Sequence, residues 1–396
     1  MTNDPSRLIS DQVDALLRDH PPGDVSPRQF WGAQFDAGLA FVRFPEGLGG
    51  LGIDHRYQQQ VDSRLADAGA PTDNRDLNLI GLALTAPALI EHAAPDVQRR
   101  LLRPLYTAEE VWCQLFSEPG AGSDLAGLSA TAVRDGDEWV LNGQKVWTTL
   151  AHKARWGQIL VRTDPDAPKH RGLTCFILDM TAPGIEVRPI YEITGEAEFN
   201  EVFLNDVRVP DAMMLGELNR GWAVAVTILM NERFAAGRSI GPRGSGVIEN
   251  AVVNWRKFAH QDAVLRDQLV KYWIDAEVLR LTEIRASHSA GRGTPGPEGS
   301  VAKLRWAQLN QSITSFALDL LGAEAMHYPD GYEFIRPEWS QVASGSTQKM
   351  FLRSRANSIE GGTNEIMRNI LATRVLQLPE EPRSDRDVPW RSIPRG

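Results

Sequence analysis

Three stretches of the chain differ in the period of their apolar positions. Up to about residue 108 the period is helical: in QVDALLRDH (12–20) and PDVQRRLLRPLY (95–106) apolar residues recur three and four apart. Between them, FPEGLGGLGID (44–54) is a glycine-rich turn region. From about Trp112 to Leu215 the period falls to two. ATAVRDGDEWVLNGQKVWTT (130–149) alternates apolar and polar residues, and its Asp135-Gly136 and Asn142-Gly143 pairs suit tight hairpin turns that need positive φ. LTCFILDM (173–180) and NEVFLNDVRVP (200–210) are further strands, the second closed by Pro210, which has no N–H to give a ladder. From Gly221 the helical period returns. Leu309, Ile313, Phe316 and Leu320 fall on one helix face. Leu269 to Ile284 is apolar almost all round, and SAGRGTPGPEGS (289–300) is a breaker-rich connection.

The pattern predicts an α+β multidomain chain. An N-terminal helical domain (1–108) leads to a middle β-domain (109–215), a C-terminal antiparallel bundle of four long helices (216–380) and a loose, proline-rich tail (381–396). No internal repeat is visible. At 396 residues the chain can bury several cores. A formal charge of −9 argues against a nucleic-acid partner, which needs a basic face to release counterions. The two cysteines, Cys113 and Cys175, sit in apolar runs without a CxxC or Cys/His partner, so neither a disulfide framework nor a metal site is expected. The N-terminus lacks the basic start and apolar core of a signal peptide. The longest apolar run, Leu79–Ile90, is shorter than the ~20 residues of a membrane span. These features read as a cytoplasmic protein with no membrane partner.

Four segments carry candidate chemistry. LFSEPGAGSD (115–124) is rich in small residues that let backbone N–H groups approach a polar cofactor, with the Ser117 and Ser123 hydroxyls at hand; an ordinary loop is an equal reading. GQKVWTTLA (143–151) ends a strand in Trp147 followed by two threonines; such a tryptophan can lie against a flat ring, or simply belong to the core. In ILMNERFAAGR (228–238), Ala225, Leu229, Glu232 and Ala236 share one helical stripe. Glu232 thus interrupts an apolar face, where lost hydration raises a carboxyl pKa toward working pH and suits it as a base for a carbon acid. A structural ion pair is the competing reading. In NSIEGGTNEIMRN (357–369), Glu360 directly precedes two glycines, and Thr363 is placed to cap the following helix, whose N-terminus can face a phosphate, ribose or carbonyl oxygen.

Together and in this order, SEPGAGSDLAGL, NGQKVWTT, FNEVFLNDVRVP and GGTNEIMRNIL resemble the acyl-CoA dehydrogenase family, over about Phe44 to Leu378. The resemblance implies that family's helical, β and four-helix-bundle domains. It implies FAD-dependent α,β-dehydrogenation of an acyl-CoA thioester: a glutamate removes the α proton and a hydride leaves the β carbon for flavin N5. Electrons would then pass to electron-transfer flavoprotein. The implied assembly is a homotetramer or homodimer, with mixed tetramers also found in the family. Gln114, Leu115, Phe116, Ser117, Gly122 and Ser123 would line the flavin, and Ser123 also the CoA. Trp147, Thr148 and Thr149 would flank the isoalloxazine ring. Thr363 and Glu365 would meet the nucleotide half of FAD, while Asp319, Gly322 and Ala323 would reach the FAD of a neighbouring subunit. Arg256 is the candidate for the arginine that grips the partner's FAD, in a segment that departs from the family's pattern. Arg233 would sit near the substrate, and the Gly361 backbone N–H would polarise the thioester carbonyl.

The base is a choice between two glutamates. Many members place it directly before Gly-Thr, a position that is Gly361 here, so Glu360 falls one residue early. A branch resembling isovaleryl-CoA dehydrogenase carries it directly before the helix arginine, and that residue is Glu232. Glu232 is therefore the expected base, with Glu360 the alternative. Two other readings share the fold: a non-catalytic partner subunit of a mixed tetramer, and an oxidase or flavin hydroxylase. The acyl group is not legible in the sequence.

Overall fold

The helical period of the first hundred residues becomes six helices: α1 (Pro5–Asp19), α2 (Pro27–Asp36), α3 (Gln58–Asp67), α4 (Asn74–Leu77), α5 (Ala86–His92) and α6 (Pro95–Tyr106). The structure, a computed structural model, describes residues 4–235, 241–259, 261–290, 298–338, 345–383 and 385–394; the side chains of 232–235, 287–290 and 298 lie outside that description. Local chemistry starts these helices. Asp4 accepts the Ser6 N–H ahead of Pro5, and Ser26 with Gln29 forms a reciprocal capping box before Pro27. Ile9 and Val13 of α1, Phe30 and Trp31 of α2, and Leu101, Leu102 and Leu105 of α6 then meet in one core.

The alternating stretch forms one mixed sheet. Its strands are β1 (Trp112–Leu115), β2 (Thr131–Asp135), β3 (Glu138–Lys145), β4 (Trp156–Arg162), β5 (Leu173–Asp179), β6 (Ile185–Pro189), β7 (Asn200–Pro210) and β8 (Met214–Leu215). They run in the order β6-β7-β3-β2-β4-β5-β8, with β1 parallel to β4. β4 and β5 are buried along nearly their whole length because both their faces are covered. Leu160, Cys175 and Ile177 join the core of the N-terminal helices, whereas Ile159, Val161, Phe176 and Leu178 join a second core with Trp139, Leu141 and Val207. Gly136 takes the expected hairpin turn at φ +68°, with Asp135 paired to Glu138 across it. Asn142-Gly143 does not turn the chain. It is a bulge inside β3 where the register against β7 shifts. Gly143 has φ +149°, and a Cβ there would come within 2.5 Å of the Ala130 Cβ, so the glycine serves close approach rather than reversal.

After the sheet come α7 (Gly221–Ala235), α8 (Val247–Asn254), α9 (Ala263–Ala290), α10 (Glu298–Asp319), α11 (Thr347–Ser354) and α12 (Asn364–Arg374). The bundle has its long members in α7, α9 and α10; α11 and α12 are shorter pieces separated by the 355–363 segment. Leu309, Ile313, Phe316 and Leu320 are buried as expected, against Ile248, Ala251, Leu269 and Leu279. The apolar residues of α9 divide between two faces. Leu269 and Leu279 point inward, but Val270, Ile274, Val278 and Leu281 are each about half exposed. Their spacing of four, four and three makes a stripe along the outside of the helix.

The tail corrects an expectation. Residues 381–396 read as loose because they are polar and proline-rich, but Trp390 is only 7% exposed. The Trp390 N–H donates to the Ala167 carbonyl and the Arg391 N–H to the Pro165 carbonyl, at 2.9 and 3.1 Å. Its indole N–H reaches the Gly127 carbonyl, and the Arg162 guanidinium lies 4.6 Å from the ring centroid. Lys169 bridges Asp385 of the tail to Asp124 of the sheet domain, at 2.5 and 2.8 Å. One aromatic anchor with a charged strap outweighs the composition signal. Replacing Trp390 by alanine should release the tail. Hydrogen exchange at the Trp390 and Arg391 amides is expected to rise at least tenfold, an opening cost of roughly 1.4 kcal/mol or more. Unchanged protection would contradict this docking.

Candidate active site

Where β1, β3 and β4 end together, one ion pair gathers the chain. The Lys145 ammonium, fully buried, donates to Glu118 Oε1 at 2.8 Å and to the carbonyls of Leu160 and Phe116 at 2.7 and 3.1 Å. Glu118 also accepts the backbone N–H groups of Ser129 and Ala130 at 2.7 and 2.9 Å and the Ser129 hydroxyl. Burial pushes the Glu118 carboxyl up, but Lys145 and these N–H donors more than reverse it and hold the group below its ordinary value. Glu118 and Ala121 exchange backbone hydrogen bonds at 3.0 Å, which curls Pro119-Gly120 into a tight turn. The 117–123 loop is thereby fixed from below by a buried charge pair and from within by its own backbone.

The Val146 N–H donates to the Ser117 carbonyl at 2.9 Å and lays this loop beside Trp147. Trp147 has φ +60°, a left-handed conformation that a bulky residue adopts only when its surroundings impose it, and its side chain stays 57% exposed. The next residue supplies the constraint. Thr148 is fully buried, and its N–H and C=O pair with the C=O and N–H of Asn200 at 3.0 and 3.1 Å. The Asn200 amide nitrogen adds a bond to the Thr148 carbonyl, and its Oδ1 accepts from Arg336 at 2.8 Å. A tryptophan ring is thus held outward with its backbone pinned on the far side.

The bundle approaches this ring from α11. Phe199 stands edge-on to Trp147, with centroids 5.9 Å apart, and the Arg353 guanidinium lies 5.6 Å from the Phe199 centroid. Arg353 donates to Glu360 Oε2 at 2.9 Å, and Asn357 donates to Glu360 Oε1 at 2.6 Å. Burial opposes the Arg353 charge, but the carboxylates of Glu360, Glu198 and Glu192 raise its pKa above the usual arginine value. Gly361 and Gly362 follow at φ +63° and +93°. Lys303 of α10 donates to the Gly362 carbonyl at 2.6 Å, and Thr363 caps α12 by accepting the Ile366 N–H at 3.2 Å. Both glycines take left-handed backbone, and the turn between Glu360 and the cap is tied at each end.

The residues expected from the sequence fall into groups. Ser117, Trp147, Thr148 and Thr149 lie in the segments that this pairing joins. Ser123 and Gly122 are exposed on the same loop. Leu115 and Phe116 are buried in the two cores, so only their backbones can face a ligand. Gln114 accepts from Gln158 at 3.1 Å. Glu365 is exposed and pairs with Arg368. Asp319, Gly322 and Ala323 are exposed at the far end of α10, and Asp319 borders a groove of about 490 Å³ with Tyr272, Gln308 and Arg355. Arg256 is exposed on the turn after α8. The side chains of Glu232 and Arg233 lie outside the described residues. The α7 backbone runs through both, and position 232 follows Ile228 by four and Ala225 by seven, so it shares the helix face of those two buried residues.

Sequence reasoning passed over Lys145, Phe199, Asn200, Arg353 and Asn357. Lys145 left a readable trace: a lysine two and four residues beyond Gly143 and Leu141 in an alternating strand implies a buried partner. Arg353 left none, because its role comes from elements far apart in the chain. Among the described residues no cluster of histidine, cysteine and carboxylates can hold a metal, and no helix is long and apolar enough to cross a membrane.

Comparison with known proteins agrees with this geometry. The acyl-CoA dehydrogenase middle-domain profile matches residues 113–207, and the acyl-CoA dehydrogenase C-terminal-domain profile matches 219–376. The chain belongs to the acyl-CoA dehydrogenase family. It is 38% identical over 359 residues to the acyl-CoA dehydrogenase IpdE1 of Mycobacterium tuberculosis, covering 89% of each chain. It is 40% identical over 347 residues to FadE34 of the same organism, where 87% of this chain matches 45% of that longer protein. The ChsE4–ChsE5 complex from Mycobacterium tuberculosis superposes with a TM-score of 0.70 at 26% identity, over 96% of this chain and 99% of that one.

Members of the family are FAD-binding flavoproteins, and the residues here suit a flavin. Trp147 presents an outward ring at a backbone angle that packing within the chain does not reward. Thr148 Oγ1 is buried without a protein partner among the described residues. Added Cβ atoms at Gly120 and Gly122 would meet nothing within 4 Å, so the loop borders open space on that side.

The Glu118–Lys145 pair yields a measurable expectation. Lys145→Met should lower the Tm by roughly 5 °C or more, since a stranded buried carboxylate costs about 3–5 kcal/mol. Lys145→Met with Glu118→Gln should recover part of that loss. Because the Glu118 pKa is depressed on folding, its contribution is full above its ordinary value of 4.5 and is lost as pH falls through the lower folded value. Calorimetry should therefore show a shallower acid-side decline in Tm for Glu118→Gln than for the wild type.

Proposed function

We propose that this acyl-CoA dehydrogenase uses Glu232 as the base that removes the α proton of an acyl-CoA thioester, with the Gly361 N–H polarising the thioester carbonyl. The observation that carries the reading is the convergence of three segments on one edge: the 117–123 loop, the outward Trp147, and the Glu360–Thr363 turn. The first two border a flat ligand. The third can aim a backbone donor at a carbonyl beside it. FAD, when bound there, supplies the acceptor for the β hydride. The chain's own work is positional. Trp147 and Thr149 set the ring's edge, Ser117 and Ser123 offer hydroxyls, and Thr363 and the start of α12 favour a negatively charged group.

The choice between the two glutamates follows from their surroundings. Glu360 spends both carboxylate oxygens on Arg353 and Asn357. A carboxylate so engaged has both oxygens committed to side chains of its own chain rather than to a substrate beside the turn. On α7, position 232 follows the buried Ile228 by four residues and Ala225 by seven, and a carboxylate at that spacing is the one we propose as the base.

Assembly follows from exposed surface. The apolar stripe of Val270, Ile274, Val278 and Leu281 is what a helix carries when another chain covers it. Asp319 beside the groove between α9 and α10 supports a contact with the FAD of a neighbouring subunit. The likeness to the ChsE4–ChsE5 complex favours a mixed assembly as the second reading, and copurification with a different chain would identify it. Electron-transfer flavoprotein is the proposed acceptor of the electrons.

Anaerobic addition of acyl-CoA thioesters to the purified holoprotein should bleach its flavin with at least one acyl class. Glu232→Gln should slow that bleaching by roughly 10²-fold or more, the usual worth of a general base. If Glu232→Gln reacts at the wild-type rate, Glu232 is not the base. Peroxide formed stoichiometrically in air would mark an oxidase.

A further inference from the structure

Glu360 is a conspicuous carboxylate at the site, and the mechanism above leaves it without a chemical step. It is one residue ahead of Gly361, yet its side chain turns back into the protein. Arg353, 6% exposed, holds one oxygen and Asn357, fully buried, holds the other. Arg353 is itself placed by two further features. Its guanidinium lies over Phe199, the ring that stands edge-on to Trp147. Its charge sits near the carboxylates of Glu198 and Glu192. Asn357 is fixed from α10, where Asn310 donates to its Oδ1 at 2.5 Å.

A two-glycine turn is soft, because each glycine reaches left-handed and right-handed backbone at little cost. A donor N–H on such a turn stabilises a developing oxyanion only when it is aimed beforehand. The far end of the turn is held by Lys303 on the Gly362 carbonyl and by the Thr363 cap. Glu360 holds the near end, and it does so through the same arginine that touches the Trp147–Phe199 ring pair. We infer that Glu360 and Arg353 are positioning residues: their ion pair aims the Gly361 N–H at the substrate carbonyl and couples that aim to the ring pair beside the cofactor. The inference rests on the reading of Gly361 as the carbonyl donor.

Both hydrogen bonds explain why a carboxylate stands at 360. In Glu360→Gln the amide oxygen can still accept from Asn357, but its NH₂ then faces the Arg353 fork, donor against donor. Arg353→Lys keeps a positive charge but loses the planar contact with Phe199 that places the donor on Glu360. Both changes preserve size and should leave flavin content near that of the wild type.

The test uses acetoacetyl-CoA, whose acidic C2 position ionises to an enolate that gives a long-wavelength charge-transfer band with oxidised flavin. Titrating that band with pH reports how strongly the bound carbonyl oxygen is stabilised, with no turnover. Glu360→Gln should move the bound ligand's ionisation up by about one pH unit, a tenfold loss of enolate stabilisation, and Arg353→Lys should move it the same way. A titration unmoved in both variants overturns the inference. Glu360→Gln that bleaches at least 10²-fold more slowly while titrating like the wild type makes Glu360 the base, and overturns it also. If Glu360→Gln fails to fold, Arg353→Lys decides alone. A wild-type holoprotein with no charge-transfer band fails earlier, because it binds no carbonyl beside a flavin and the reading of Gly361 falls first. Glu232→Gln separates the two ideas: it should slow bleaching by roughly 10²-fold or more and keep the band.

Discussion

The buried pair of Glu118 and Lys145 is the constraint on which the site depends. Two opposite charges with four backbone partners occupy a place where neither would be stable alone. Removing charges from water is expensive, and the expense is met only when every lone pair and proton is engaged. That requirement is what makes the pair useful. It forces the ends of β1, β3 and β4 and the start of β2 into one arrangement. A hydrophobic plug of similar volume would fill the space but would tolerate small slips of each strand.

From that point order spreads outward by short steps. Lys145 ends β3, Val146 pairs with Ser117, and Thr148 pairs with Asn200. Between them Trp147 has little freedom left. Its left-handed backbone costs of order 1–3 kcal/mol in a residue of that size, and such a cost persists only where neighbours determine it. The same cost is what the proposed role of the ring as a wall for a ligand would explain. The bundle then reaches this edge through Arg353, which lies over Phe199 at the start of β7, so the sheet and the helices share one boundary.

The α–β–α order was legible because burial imposes a period on each element. The four helix residues from Leu309 to Leu320 read correctly for that reason, as did the hairpin at Gly136. Asn142-Gly143 misled because a dipeptide that permits positive φ does not say whether the chain reverses there or bulges. Only the approach of Ala130, set by tertiary packing, decides it. The tail misled for a related reason: composition averages over residues, and a single buried tryptophan outvotes a dozen polar neighbours. The loops proposed to form the site are marked in the sequence by small residues and hydroxyls. The residues that hold those loops are not. Arg353 meets Phe199 from 154 positions away, a separation no local pattern encodes.

The returning C-terminus has a consequence for how the molecule is made. Trp390 donates to Gly127 across 263 positions of sequence. Residues 124–169 leave the ribosome long before their clamp exists, and such long-range contacts close late because the intervening chain must be ordered first. The sheet domain therefore emerges with one flank uncovered and keeps it so until Trp390 has been made. A nascent chain stalled before residue 385 would leave the Gly127 and Ala167 carbonyls open to the cell's chaperones, while one that carries Trp390 covers them.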